Sequence, residues 1–136
     1  MLPLEFTLRW RIASAVLLLA VLAAAIMPAV WFWPNRGQMG GWIEGIDKWV
    51  HAGTFAVLAI WFSGQYRVRS YWRIAIGLFA FGLLIEACQR MVVYRTAEWY
   101  DVAADAGGII VGLCIASAGL GGWCLRFEAW LQNRIN

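Results

Sequence analysis

The sequence predicts an all-α membrane protein, a bundle of four transmembrane helices with both termini on the cytoplasmic side. Of its 136 residues, 62% are hydrophobic and only 14% are charged, whereas a soluble domain carries roughly 25% charged residues. Several runs free of charge are long enough to cross a bilayer. Ten tryptophans cluster near the ends of those runs, as expected for interfacial aromatic belts. These features exclude a disordered chain and indicate one membrane domain over residues 1–136.

The first of four predicted spans covers about residues 12–33. It holds 22 residues without a charge, which as a helix rise about 33 Å and cross a hydrocarbon core of about 30 Å. Arg9 and Arg11 before this run, with three alanines at 23–25, also fit a secretory signal. The apolar run continues to Trp33, which is too long for a signal core, so we expect the segment to be retained.

The other predicted spans cover about residues 49–64, 72–88 and 102–124. The second is short, and Lys48 and Arg67 are expected to anchor its two ends. The last is expected to run as one helix to its end, with a single acid, Asp105, near its start. Residues 34–48 contain Pro34 and a glycine pair and are expected to form an irregular loop.

The distribution of cations predicts the orientation. With the N-terminus inside, the inner segments carry seven cations and the outer loops four. The inner cations are Arg9, Arg11, Arg67, Arg69, Arg73, Arg126 and Arg134, and the outer ones are Arg36, Lys48, Arg90 and Arg95. This bias predicts a multi-pass protein of the plasma membrane, and anionic lipid headgroups explain the basic residues without a nucleic-acid partner.

Polar residues gather at the predicted outer ends of three helices. They are Asp47, Lys48 and His51, then Glu86, Gln89 and Arg90, then Arg95, Asp101 and Asp105. Titratable residues inside a span are costly unless they are partnered, so these side chains form a candidate site. At helical spacing Asp47 and His51 share a face, as do Glu86 and Arg90, and Asp101 and Asp105. Gly108 and Gly112 continue the stripe of Asp101 and Asp105, and we expect that stripe to face another helix. Asp47 and Asp101 also fit the positions of helix N-caps.

Two carboxylates one helical turn apart need a group that offsets their mutual repulsion. Asp101 and Asp105 repel each other, and the sequence offers three remedies: a nearby cation such as Lys48 or Arg95, a proton shared by the two groups, or a divalent cation. Glu86 would be the third ligand of such a cation. No cofactor other than this ion is indicated.

The polar pattern resembles the VanZ-like family of small multi-pass membrane proteins over roughly residues 42–115. The resemblance lies in Asp47-Lys48-x-x-His51-x-x-x-Phe55, Glu86-x-x-Gln89, Arg95, and Asp101-x-x-x-Asp105-x-x-Gly108-x-x-x-Gly112. Asp105 stands where many relatives carry asparagine. The family is named after a protein associated with resistance to teicoplanin, an antibiotic that acts on cell-wall precursors. The resemblance therefore implies a role at the cell envelope and supplies no activity.

Three functions remain open at this point. In the first, the protein binds a lipid-linked or amphiphilic cell-envelope molecule. Its phosphate would contact Lys48, Arg90 and Arg95, and the site would be lined by Glu86, Gln89 and Asp105. Alternatively it is a phosphohydrolase or phosphotransferase in which His51 is base or nucleophile, oriented by Asp47 or Asp101. In the third reading the cluster is only an interhelical hydrogen-bond network of a structural or partner protein. The surplus of acids weakens simple phosphate capture.

Overall fold

A computed structural model of the chain describes residues 1–27, 42–91 and 99–135, and within them all regular structure is helical. The five α-helices are α1 (Thr7–Ile26), α2 (Trp42–Ser63), α3 (Tyr71–Arg90), α4 (Trp99–Ile115) and α5 (Trp123–Ile135). A 3₁₀ turn at Val68–Ser70 precedes α3, and a π-helical turn at Ala116–Leu120 extends α4. Among the described residues, three segments are long and apolar enough to span a membrane: Thr7–Ile26, Val68–Arg90 and Trp99–Leu120.

Helix α2 lies at the centre of the structure and packs closely against α4. The buried core draws mainly on α2, α3 and α4 and comprises Phe55, Leu58, Ala59, Tyr71, Ile74, Leu78, Ile85, Ile109 and Ala116. Gly108 and Gly112 of α4 rest on the backbone of α2 at Ala52 and Ala56. These two glycines are four residues apart, a spacing that lets transmembrane backbones approach closely. The predicted glycine stripe therefore faces a neighbouring helix, and that helix is α2.

Hydrogen bonds fix the directions of the helices. Gln89 near the end of α3 donates to the carbonyl of Ala25 near the end of α1, at 3.0 Å. Ser14 in the first half of α1 accepts from Trp61 in the last turn of α2 and from Gln65 just after it. Helices α1 and α3 therefore run one way, and α2 and α4 run the other. We call the end where α2 and α4 begin, lined by His51, Glu86, Gln89, Asp101 and Asp105, the mouth.

Two predicted boundaries are corrected. Helix α1 begins at Thr7 rather than near 12, and residues 28–33 of the predicted span lie outside the described residues. Helix α2 begins at Trp42 rather than near 49, so the last part of the expected loop is helical. The glycine pair that predicts a loop ends at residue 41, directly before this helix. Asp47 and Asp101 consequently lie inside helices and are not N-caps.

The predicted single helix over 102–124 is wrong, because the chain turns after Leu120. Gly119 and Gly122 have φ of 147° and 67°, a region that glycine enters without steric cost. Arg126 donates to the carbonyls of Gly119 and Gly121, which the break removes from the helical ladder. Helix α5, which the sequence did not predict as a separate element, starts at Trp123 on the far side of this turn.

A second polar cluster, which the sequence pattern does not predict, lies at the end opposite the mouth. Trp10, Trp61 and Trp123 pack with ring centroids 5.4–5.7 Å apart. Beside them the buried carboxylate of Glu128 on α5 accepts three hydrogen bonds, from the backbone N–H groups of Glu5 and Phe6 and from the indole of Trp10. This cluster joins the N-terminal segment to α5.

Candidate functional site

A buried contact between His51 and Asp105 forms the centre of the mouth. Nδ1 of His51 lies 2.9 Å from Oδ1 of Asp105. The close parallel packing of α2 on α4, where Ala52 next to His51 meets Gly108 about one turn after Asp105, sets this register. When Nδ1 donates its hydrogen to the carboxylate of Asp105, Nε2 of a neutral imidazole is the basic nitrogen. The contact with Asp105 orients the ring.

The second oxygen of Asp105 faces helix α3. Asp105 is 1% exposed, and its Oδ2 has no hydrogen-bond partner in the part of the chain that the structure describes. A Cβ atom at Gly82 would lie 2.7 Å from this oxygen, so only glycine lets the carboxylate approach α3 so closely. Gly82 is not among the site residues that the sequence predicts. The available signal was its position one turn before Glu86 on the same helix.

Glu86 brings a further carboxylate to the mouth from α3. It is 4% exposed, and neither of its oxygens has a hydrogen-bond partner among the described residues. No direct hydrogen bond joins Glu86 to Arg90. Glu86 interacts electrostatically with Asp101, His51, Asp105 and Arg90, so these residues lie in one neighbourhood. An ionised carboxylate in such surroundings is stable only when something supplies hydrogen-bond donors.

The cations of the mouth lie at its rim. The exposed guanidinium of Arg90 stands 5.5 Å from the ring centroid of Trp99, and Nζ of Lys48 stands 5.2 Å from that of Tyr100. Both rings are themselves largely exposed. Cation–π contacts of this kind hold a positive charge near an interface without taking it inside. The acids of the mouth are thus buried, and these two cations lie against exposed aromatic rings.

The remaining predicted residues fall into two groups. Gln89 is buried and its amide donates to Ala25, so it holds the last turn of α1 in place. Asp101 is buried in the first turn of α4. The side chain of Asp47 and the whole of Arg95 lie outside the described residues. Within the described ranges, no three His, Cys, Asp or Glu side chains are placed to hold a metal ion, so the expected divalent cation finds no preformed site there.

Comparison with known proteins identifies one family. Residues 5–121 match the VanZ/LLP1 protein family, a stretch that includes every described residue of the mouth and ends at the turn before α5. Searches of curated proteins and of solved structures gave no match. The match covers most of the chain, and three described segments have the length and apolar character of membrane spans. The chain accordingly belongs to the VanZ/LLP1 family and is a membrane protein.

Proposed function

We propose that this protein binds the polar headgroup of an amphiphilic or lipid-linked cell-envelope molecule at the mouth. The proposal rests on three buried carboxylate oxygens, two of Glu86 and one of Asp105. None of the three has a hydrogen-bond partner among the described residues. Buried acceptors of this kind cost free energy in a membrane protein. Acidic residues at membrane depth are therefore expected to serve a ligand.

The proposal includes a topology in the plasma membrane. Helix α2 is the fourth span, both termini face the cytoplasm, and the mouth faces outward. Support for the span comes from the central position of α2, whose Phe55, Leu58 and Ala59 are almost fully buried. Support for the orientation comes from the arginines, since seven of them belong to segments at the end opposite the mouth. Positively charged segments remain in the cytoplasm during insertion.

Cysteine labelling tests this topology. The native Cys124 is unsuitable as a probe, because burial raises the pKa of its thiol to about 12 and leaves it inert. Met91 beside the mouth is 85% exposed and Val68 at the opposite end is 62% exposed. In a background without native cysteines, we expect a membrane-impermeant maleimide to label Met91→Cys in intact cells. Val68→Cys should react only after permeabilisation, and the reverse pattern would overturn the orientation.

Native mass spectrometry tests the binding function. The wild-type protein, extracted gently from its own membrane, is expected to retain a lipid or amphiphile. Asp105→Ala and His51→Gln should retain about tenfold less, because each change disrupts the hydrogen bonding of the mouth. Glu5→Gln changes an exposed acid at the opposite end and is the matched control. Equal retention by wild type and the mouth variants, or bare protein in every case, would contradict the proposal and favour a purely structural cluster.

The geometry of His51 favours a second candidate, acid–base catalysis on the bound molecule. A carboxylate that orients an imidazole through Nδ1 is the arrangement of a general base. The residue in that position is Asp105, whereas the sequence predicts Asp47 or Asp101 for the role. Catalysis predicts that the mass of the retained molecule changes with time in the wild type and stays constant in His51→Gln. A constant mass in both would leave binding as the whole function.

A further inference from the structure

The chemistry of the mouth constrains what it binds. The oxygens of Glu86 and Oδ2 of Asp105 are acceptors, and they need hydrogen-bond donors. A phosphate offers acceptors and negative charge, so it would meet repulsion inside the mouth. Of the described cations, Lys48 and Arg90 stand at the rim against aromatic rings. The interior therefore disfavours an anion and favours a donor with positive charge.

Resting on the proposed binding function, we infer that the group bound inside the mouth is a primary ammonium carried by an amphiphile. A primary ammonium has three N–H donors and one positive charge, and it accepts no hydrogen bond. The described residues present three unpartnered acceptor oxygens, on two carboxylates. These oxygens are shut off from solvent. Charge-assisted hydrogen bonds of this type are about twice as strong as neutral ones.

We expect related headgroups to bind the mouth with different affinities. A trimethylammonium has the same charge but no N–H donor, so it leaves the carboxylate oxygens unsatisfied. A sugar hydroxyl donates one hydrogen bond and brings no charge. A phosphate monoester brings negative charge toward the carboxylates and is mostly an acceptor at neutral pH. Binding should therefore decrease from primary ammonium to hydroxyl, to trimethylammonium, and finally to phosphate.

A competition experiment with amphiphiles of one chain length tests the inference. The full chain in a neutral detergent is mixed with equal amounts of dodecylammonium, dodecyltrimethylammonium, dodecyl glucoside and dodecyl phosphate. Native mass spectrometry then counts each adduct. We expect the dodecylammonium adduct to exceed the trimethylammonium adduct by about tenfold or more. The preference should disappear in Glu86→Gln and persist in Glu5→Gln, which removes an exposed acid at the opposite end.

The possible outcomes separate this inference from the function on which it rests. Preferred binding of dodecyl phosphate, or equal binding of the two ammonium compounds, would overturn the inference and leave a headgroup site in place. No adduct with any probe, together with no retained native lipid, would overturn both. The order in which the wild type binds the four amphiphiles tests the inference without any variant. That test remains valid even if Glu86→Gln does not fold. Asp105→Asn provides the second variant, and its preference should also fall.

Discussion

Replacing Gly108 by alanine is expected to destabilise the bundle by at least about 2 kcal/mol. A Cβ atom at this position would overlap the carbonyl oxygen of Ala52 and would lie 2.9 Å from its Cα. These atoms belong to the backbone of α2, so no change of side-chain rotamer can relieve the overlap. The two helices would have to separate along their closest contact. That separation would also weaken the bond between His51 and Asp105, so the variant should lose the retained amphiphile as well.

Gly107 provides a matched control for this prediction. It precedes Gly108 on the same helix, and a Cβ atom there would meet nothing within 4 Å. Alanine is favoured over glycine in a helix interior by up to about 1 kcal/mol. Gly107→Ala should therefore be neutral or slightly stabilising. Thermal unfolding in a mild detergent, followed by tryptophan fluorescence, compares the two variants, and equal midpoints would contradict the packing of α4 on α2.

The sequence predicted the helix faces of the mouth well, because residues one turn apart necessarily share a face. The glycines at 108 and 112 were expected to contact another helix, and they do so. Asp101 and Asp105 were expected on one face, and both are buried. The partner of His51 could not be chosen in this way. Which of several acids meets the imidazole depends on the register of α2 against α4, and helical spacing carries no information about that register.

The turn after Leu120 shows a different reason why a structural feature could not be predicted from the sequence. Gly119, Gly121 and Gly122 were visible in the sequence, but the apolar composition continues through Cys124 and suggested an unbroken span. A break is tolerable there only because other groups satisfy the freed carbonyls, and Arg126 does so. The hydroxyl of Tyr71 also occupies the space beside Gly121 that a side chain would fill. Both contacts are tertiary, so hydropathy alone could not reveal them.

The second large effect is expected from Glu128→Ala, with a loss of about 3 kcal/mol in the free energy of unfolding. This carboxylate accepts hydrogen bonds from the backbone of Glu5 at 2.9 Å and of Phe6 at 3.1 Å, and from the indole of Trp10 at 2.7 Å. Alanine would leave all three donors without an acceptor where the N-terminal segment meets α5. Glu5→Gln, which alters an exposed acid nearby, should change stability far less.

The same carboxylate should make stability depend on pH. Burial raises the pKa of Glu128, but the hydrogen bonds from Glu5, Trp10 and Phe6 outweigh it, and the pKa in the folded protein lies below its usual value of 4.5. Because the ionised form is favoured on folding, the stabilisation is complete above the unfolded pKa and is lost as pH falls through the lower, folded value. Wild type should therefore lose stability below about pH 4.5, and Glu128→Gln should lose less over the same window. Parallel curves for the two proteins would show that the acid sensitivity arises elsewhere.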